Sequence, residues 1–210
     1  IPAVPGEVDG VVIELVVDDE GKATAIVTEE IFKEALNNAK DGKVKVEVKD
    51  GEEESDISVK LNVEQVKAAS NEDIEEIEVN TGIATVKLPV SLFEDSENDA
   101  EEVNKKVSSN TVYKFDLSVG EQKLNQFDKN QKVEVSFNYT LDTGLNPGQI
   151  VVYGINDNGD FEVIKNGRYN NGKVQFNAKD FGQYTAIPVD VTLTDLDQTS
   201  WAKDAIIALA

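Results

Sequence analysis

The chain has 210 residues, 40% of them hydrophobic, and neither histidine nor cysteine. That is enough apolar material for one large or two small cores, but a disulfide, a thiolate or His-based metal site and a Ser-His-Asp triad cannot be built from it. A formal charge of −21 with pI near 4.3 works against nucleic acid and anionic membrane surfaces, which select Lys/Arg clusters, and no run approaches the ~18 apolar residues of a membrane span.

The chain opens Ile1-Pro2-Ala3-Val4-Pro5, a stiff, proline-flanked stretch expected to be a linker over residues 1–5. With no initiator Met and no signal segment, the sequence is expected to be an internal piece of a longer protein. Acidity is concentrated early: residues 1–95 hold 24 Asp/Glu against 9 Lys, net −15, leaving −6 for the remainder.

Residues 6–95 are expected to form an α+β repeat domain of three β-β-α units. In the first, the apolar run Val11–Val17, a turn at Asp18-Asp19-Glu20-Gly21 and a strand Ala23–Val27 form a hairpin. Thr28 then caps a helix that has Glu29 and Glu30 in its positive first turn and Phe32, Ala35, Leu36 and Ala39 on its buried stripe. Asp41-Gly42 ends it. The second unit has strands Val44–Val48 and Ile57–Leu61 around Asp50-Gly51, then Asn62 as cap and Val63, Val66 and Ala69 on a short helix. The third has Ile74–Val79, a turn Asn80-Thr81-Gly82, Ile83–Leu88, and Pro89 opening a helix with Val90, Leu92 and Phe93. The caps recur at Thr28, Asn62 and Pro89, and Phe32, Val66 and Phe93 each stand about one helical turn beyond their cap. Such a repeat arranges hydrophobic faces and places no reactive group.

Residues 96–110 turn polar and are expected to be a connecting loop with a helical turn near Val103. From Thr111 the texture is that of strands, at 112–119, 133–141, 150–155, 161–165, 173–177 and 184–191. Alternation is plain in Tyr113, Phe115, Leu117, Val119 and in Val133, Val135, Phe137, Tyr139. Turns at Asn146-Pro147-Gly148, Asn158-Gly159, Asn166-Gly167 and Asn171-Gly172 supply hairpin chemistry. Residues 111–191 are therefore expected to be an antiparallel β-sandwich.

After it, Trp201, Ala202, Ala205, Ile206 and Leu209 recur at i, i+1, i+4, i+5 and i+8, one apolar face of a helix entered through Thr199-Ser200. With Asp195 these residues resemble the opening of an S-layer homology (SLH) module, although Leu193 stands where an aromatic is usual and Ser200 where His is usual. The preceding segment resembles the β-domains found before SLH modules in cell-surface proteins of Gram-positive bacteria. The residues that carry this likeness are Val151-Val152-Tyr153, Asn158 to Val163, Gly167-Arg168-Tyr169, Lys173 to Phe176 and Asp180 to Tyr184.

The resemblance implies that residues 192–210 are the packing helix of a truncated SLH module, with Asp195, Trp201, Ala202, Ala205, Ile206 and Leu209 as its packing residues. It further implies a secreted, extracellular S-layer or wall-associated protein, in which this stretch is a non-catalytic spacer. Cell-wall polysaccharide would then be contacted only through downstream SLH modules absent here. No enzyme activity, catalytic residue, cofactor, metal, nucleic acid or membrane partner is expected, and the oligomeric state is open.

Two binding alternatives come from the residues themselves. Asn156, Asn158 and Asp160 alternate as in a calcium loop, but Phe161 takes the place of the turn glycine and no bidentate Glu follows at the right distance, so a hairpin turn fits better. Tyr113, Tyr139, Tyr153, Tyr169 and Tyr184 could stack on sugar rings in a carbohydrate-binding module. Tyrosines gathered on one exposed sheet face would favour that module, and tyrosines in the core would favour the spacer.

Overall fold

Side chains on a strand alternate between faces, so a period-two apolar pattern builds a sheet with one buried side. The computed structural model describes residues 10–19, 22–51, 56–70, 73–94, 99–106, 112–124, 127–128 and 131–189, and the protein is mostly β, with two sheets. In chain order the elements are β1 (Val11–Ile13), β2 (Val16–Val17), β3 (Ala23–Ile26), α1 (Glu29–Asn37), β4 (Lys43–Val48), β5 (Asp56–Leu61), α2 (Val63–Ser70), β6 (Glu76–Asn80) and β7 (Ala84–Pro89). A 3-10 turn, Val90–Phe93, leads to β8 (Ala100–Lys106), β9 (Tyr113–Val119), β10 (Gln122–Lys123), β11 (Val133–Asn138) and β12 (Ile150–Ile155). The described chain closes with β13 (Phe161–Val163), β14 (Arg168–Asn170), β15 (Lys173–Ala178) and β16 (Gln183–Pro188).

Sheet I runs β1-β4-β6-β7-β11-β15-β14, and sheet II runs β13-β12-β16-β9-β8-β5-β3-β2 with β10 paired to β9. One rung of sheet I shows how the sequence pattern becomes a layer. Val11, Val46, Val79, Val86, Val135 and Phe176 are cross-strand partners, and all are buried. The next rung, Lys45-Glu78-Lys87-Glu134-Asn177, faces the other way with alternating charge. The inner faces of the two sheets meet in one core. Tyr113 of sheet II stacks on Phe137 of sheet I with centroids 4.2 Å apart, and Phe176 of sheet I lies 4.6 Å from Tyr184 of sheet II.

The first part of the chain pairs in parallel. β1, β4 and β6 are parallel neighbours in sheet I, as are β3 and β5 in sheet II. Val11 pairs with Val46, Ala23 with Ile57 and Lys43 with Glu76, so parallel partners are separated by a nearly constant length of chain. Helices make the return crossings. Thr28 caps α1 by accepting from the Ile31 amide at 3.4 Å, and Asn62 caps α2 by accepting from Gln65 at 3.0 Å. Phe32, Val66 and Phe93 are all buried.

Several expectations change. The apolar run Val11–Val17 is two strands, because Glu14-Leu15 carries the chain from sheet I to sheet II. The expected second hairpin is not one, since β4 lies in sheet I and β5 in sheet II. Gly51 permits that crossing: a Cβ there would stand 2.0 Å from the Thr81 carbonyl oxygen. The third helix is only the four-residue 3-10 turn after Pro89.

The largest change concerns 96–110. Residues 100–106 of that expected loop are β8, which pairs antiparallel with β5 on one side and β9 on the other. Its buried positions include Ala100 and Asn104, so there was no apolar alternation to read. The stretches 6–95 and 111–191 accordingly share both sheets, with β7 pairing β11 and β8 joining β5 to β9.

Candidate functional site

The SLH-like residues Asp195, Trp201, Ala202, Ala205, Ile206 and Leu209 lie outside the described residues. The candidate calcium loop is the turn between β12 and β13. There the Asn156 side-chain oxygen accepts from the amides of Asn158 at 3.0 Å and Asp160 at 2.9 Å, and Gly159 takes φ +83°. The oxygen that would bind a cation is spent on closing the hairpin. Among the described residues, no group of three or more His, Cys, Asp or Glu is placed to hold a metal ion.

The tyrosines divide. Tyr113, Tyr139 and Tyr184 are buried; the Tyr113 hydroxyl donates to the Asn138 carbonyl at 2.9 Å, and that of Tyr184 reaches Asp180 Oδ1 at 2.8 Å. Burial raises the pKa of all three, most strongly that of Tyr184, where the Asp180 carboxylate adds to it. Tyr169 is half-buried and meets Tyr139 edge-on. Tyr153 alone faces outward on sheet II, half-buried.

Two grooves carry charged groups. One, about 520 Å³, is lined by Thr28, Glu29, Lys60, Asn62, Asp99 and Glu101 among others. Both helix N-termini open onto it, but each is already capped by its own side chain, and three carboxylates against one lysine repel an anion. At its rim Ser58 donates to Glu101, which also meets Lys22 at 3.3 Å. The Ser58 hydrogen bond, with Lys22 second among the attractive partners, holds Glu101 below the ordinary carboxylate range against some burial. Ser58 is fully buried, so its hydroxyl cannot meet a substrate, and the trio fastens β5, β8 and the β2–β3 turn together.

The other groove, about 500 Å³, lies at the end of β9, β12 and β16. Three of its carboxylates have partners, Asp116 with Lys114 at 2.8 Å and Lys123 at 3.4 Å, Glu162 with Lys179 at 3.7 Å, and Asp180 with Tyr184, while Asp157 is exposed on the rim.

The distinctive surface is apolar. Register puts Phe161 beside Ile155, Val163 beside Tyr153 and Ile187 beside Val151 on the outer face of sheet II. Phe161 is 56% exposed, Val163 48% and Ile187 39%. Tyr153 meets Phe161 edge-on, centroids 5.9 Å apart and planes at 85°. The sequence carried a sign of this face, for Ile150 to Tyr153 is apolar at four successive positions and must therefore be apolar on both sides of its strand. The chain matches no protein-family model, no curated protein and no solved structure.

Proposed function

We propose that this chain is a non-catalytic spacer of a secreted bacterial surface protein, standing next to wall-anchoring SLH modules and supporting what the parent protein displays. One observation carries the reading: Tyr113, Tyr139 and Tyr184 are spent on the core, where Tyr113 and Tyr184 pack across from one sheet to the other, and are not presented to a ligand. The carbohydrate-binding alternative must rest on Tyr153 and Phe161. Two rings at 85° do not offer the coplanar platform on which successive sugars stack.

The same proposal extends to the architecture. The first part of the chain is a short stack of strand-strand-helix coils of nearly equal length, which the parallel registers support. The third unit is a hairpin with a 3-10 turn that ends the stack, and the later strands complete a β-sandwich on it. Stacked coils with short crossings are stiff, and stiffness is what a spacer requires.

The test is co-sedimentation with purified cell walls at physiological salt. The 210-residue chain should stay in the supernatant, because its −21 charge repels an anionic wall polymer, while a longer chain carrying complete SLH modules should pellet. Strong pelleting of the 210-residue chain would put the glycan-binding reading first.

A further inference from the structure

We propose that the apolar outer face of sheet II formed by Val151, Tyr153, Phe161, Val163 and Ile187 is the seat of this chain's own segment 192–210. Four observations converge on that occupant. The chain leaves the described fold beside the face: Ile187 belongs to it, and the Val189 amide is still held by the Gln149 carbonyl at 2.8 Å, next to β12. The segment that follows carries a matching stripe, Trp201, Ala202, Ala205, Ile206 and Leu209, which needs an apolar cover if it is to hold a helix at all.

The dimensions agree as well. Wound as a helix, a stripe from Trp201 to Leu209 would span about 12 Å at ~1.5 Å per residue. The face extends about 13 Å from Ile155 to Val151 at ~3.3 Å per residue and is three strands wide, about 10 Å between its outer strands. Between Val189 and Trp201 the chain can reach up to ~40 Å, ample for it to turn back over β16, β12 and β13. Finally, the outer face of sheet I carries the charged rung Lys45-Glu78-Lys87-Glu134, and the exposed Val16 and Ile26 stand on β2 and β3 at the far edge of sheet II, beyond β9, β8 and β5, so the face on β13, β12 and β16 is the apolar surface beside the point where the chain leaves. This inference does not depend on the spacer assignment; it fixes the direction in which anything following the segment would leave the sheets.

Trp201 is the sole tryptophan and reports on its own environment. In the full 210-residue chain its emission should lie at the short wavelength of a buried indole and resist acrylamide. Phe161→Asp should move it to longer wavelength and raise the quenching constant severalfold, while the near-ultraviolet circular dichroism of the buried tyrosines is unchanged. Should Phe161→Asp fail to fold, Ile206→Asp tests the same contact from the other side without touching a strand. A solvent-like emission in the unaltered chain overturns the proposal, as does an emission indifferent to both substitutions. An emission that shifts with protein concentration, together with dimers by light scattering, assigns the face to a second copy and overturns it too.

Discussion

The stretch from β1 to β6 and the stretch from β8 to β16 bury the same kind of residue by opposite means. Apart from the short β2–β3 hairpin, the first uses parallel pairing, crossing from sheet I to sheet II and returning through a helix, so that β1 finds β4, β3 finds β5 and β4 finds β6 one full coil further along the chain. The second pairs antiparallel throughout, much of it through tight turns such as Asn171-Gly172, both at positive φ. Parallel strands need helical crossovers, and tight turns can join only antiparallel ones. The difference teaches that the two halves are joined through their sheets: Phe32 and Phe93 are buried in a first half whose two sheets are completed by later strands.

The sharpest way to break that comparison is to cut the sheet-to-sheet contact. Phe137 stacks on Tyr113 and meets Phe176 edge-on. Phe137→Ala should cost about 3–5 kcal/mol, and urea unfolding should remain one transition with coincident circular dichroism and tyrosine fluorescence. A residual transition belonging to residues 10–94 would show two independent bodies. Phe32→Ala and Phe93→Ala should cost a similar amount and Val66→Ala less, about 2 kcal/mol.

Glycine substitutions sharpen the contrast. At Gly51 a methyl group meets backbone, the Thr81 carbonyl, so Gly51→Ala should destabilise by about 3 kcal/mol, the upper end of overpacking costs. At Gly159 there is open space but φ is +83°, so Gly159→Ala should cost about 1 kcal/mol from backbone strain alone. Equal losses would mean that the sheet I to sheet II crossing tolerates movement.

Titration separates the core from the charged rung. Burial raises Tyr113, Tyr139 and Tyr184, so their share of stability is complete below the ordinary tyrosine pKa of about 10 and is lost as pH rises through the folded values. Alkaline unfolding should therefore start above about pH 10. For Glu134, burial pushes upward, but the hydrogen bonds from Lys87 and Gln175 win and hold it below the ordinary range. Its contribution is complete above about pH 4.3 and disappears as pH falls through the folded value. Lys87 is the mirror case: burial lowers it, Glu134 outweighs that, and its pKa is raised. Glu134→Gln should flatten the acid limb of a stability-against-pH curve and cost about 1 kcal/mol or less at neutrality.

The smallest effect is that of salt. Residues 1–95 carry net −15, and melting temperature should rise between low salt and ~0.15 M, where the screening length is about 8 Å. Part of that charge is already answered by Lys43–Glu76 at 3.3 Å and Lys49–Glu14 at 2.9 Å, so a rise of only a degree or two is expected, by the usual scale for ~0.5 kcal/mol in a chain of this size. No rise would mean that the lysine pairs neutralise the excess fully.

Legibility followed local chemistry. Tyr113 to Val119 and Val133 to Phe137 alternate cleanly and are strands; Thr28, Asn62 and Pro89 begin helical turns where their side chains dictate. β8 was illegible because a strand flanked on both sides by others is held by its backbone ladder, and Asn104 sits at a buried position where a hydrophobe would have revealed it. The split of Val11–Val17 and the crossing at Gly51 escaped for a different reason: which sheet a strand joins is decided by partners a whole coil away, as Val46 is from Val11 and Ile57 from Ala23, not by its own composition. Of the candidate sites, the Asn156 turn was readable from pattern; which tyrosines are buried was left open by the sequence, and the outer face of sheet II emerges only when Phe161, Tyr153 and Ile187 are brought together by register.

The placement of β8 also sets an order of events in time. As a chain grows from its N-terminus, β3 can pair with β5 as soon as Leu61 has appeared, and β6 can close on β7 at once. β5 and β7, however, then stand as bare edges: β5 awaits β8, and β7 awaits β11, which arrives far later in the chain to set Glu134 beside Lys87 and Phe137 beside Ala84. Distant pairings of this kind are slow to form, and unpaired edges recruit other chains. The interval between the appearance of Pro89 and the arrival of Val133 to Asn138 is thus the period in which a nascent chain is most prone to join its neighbours.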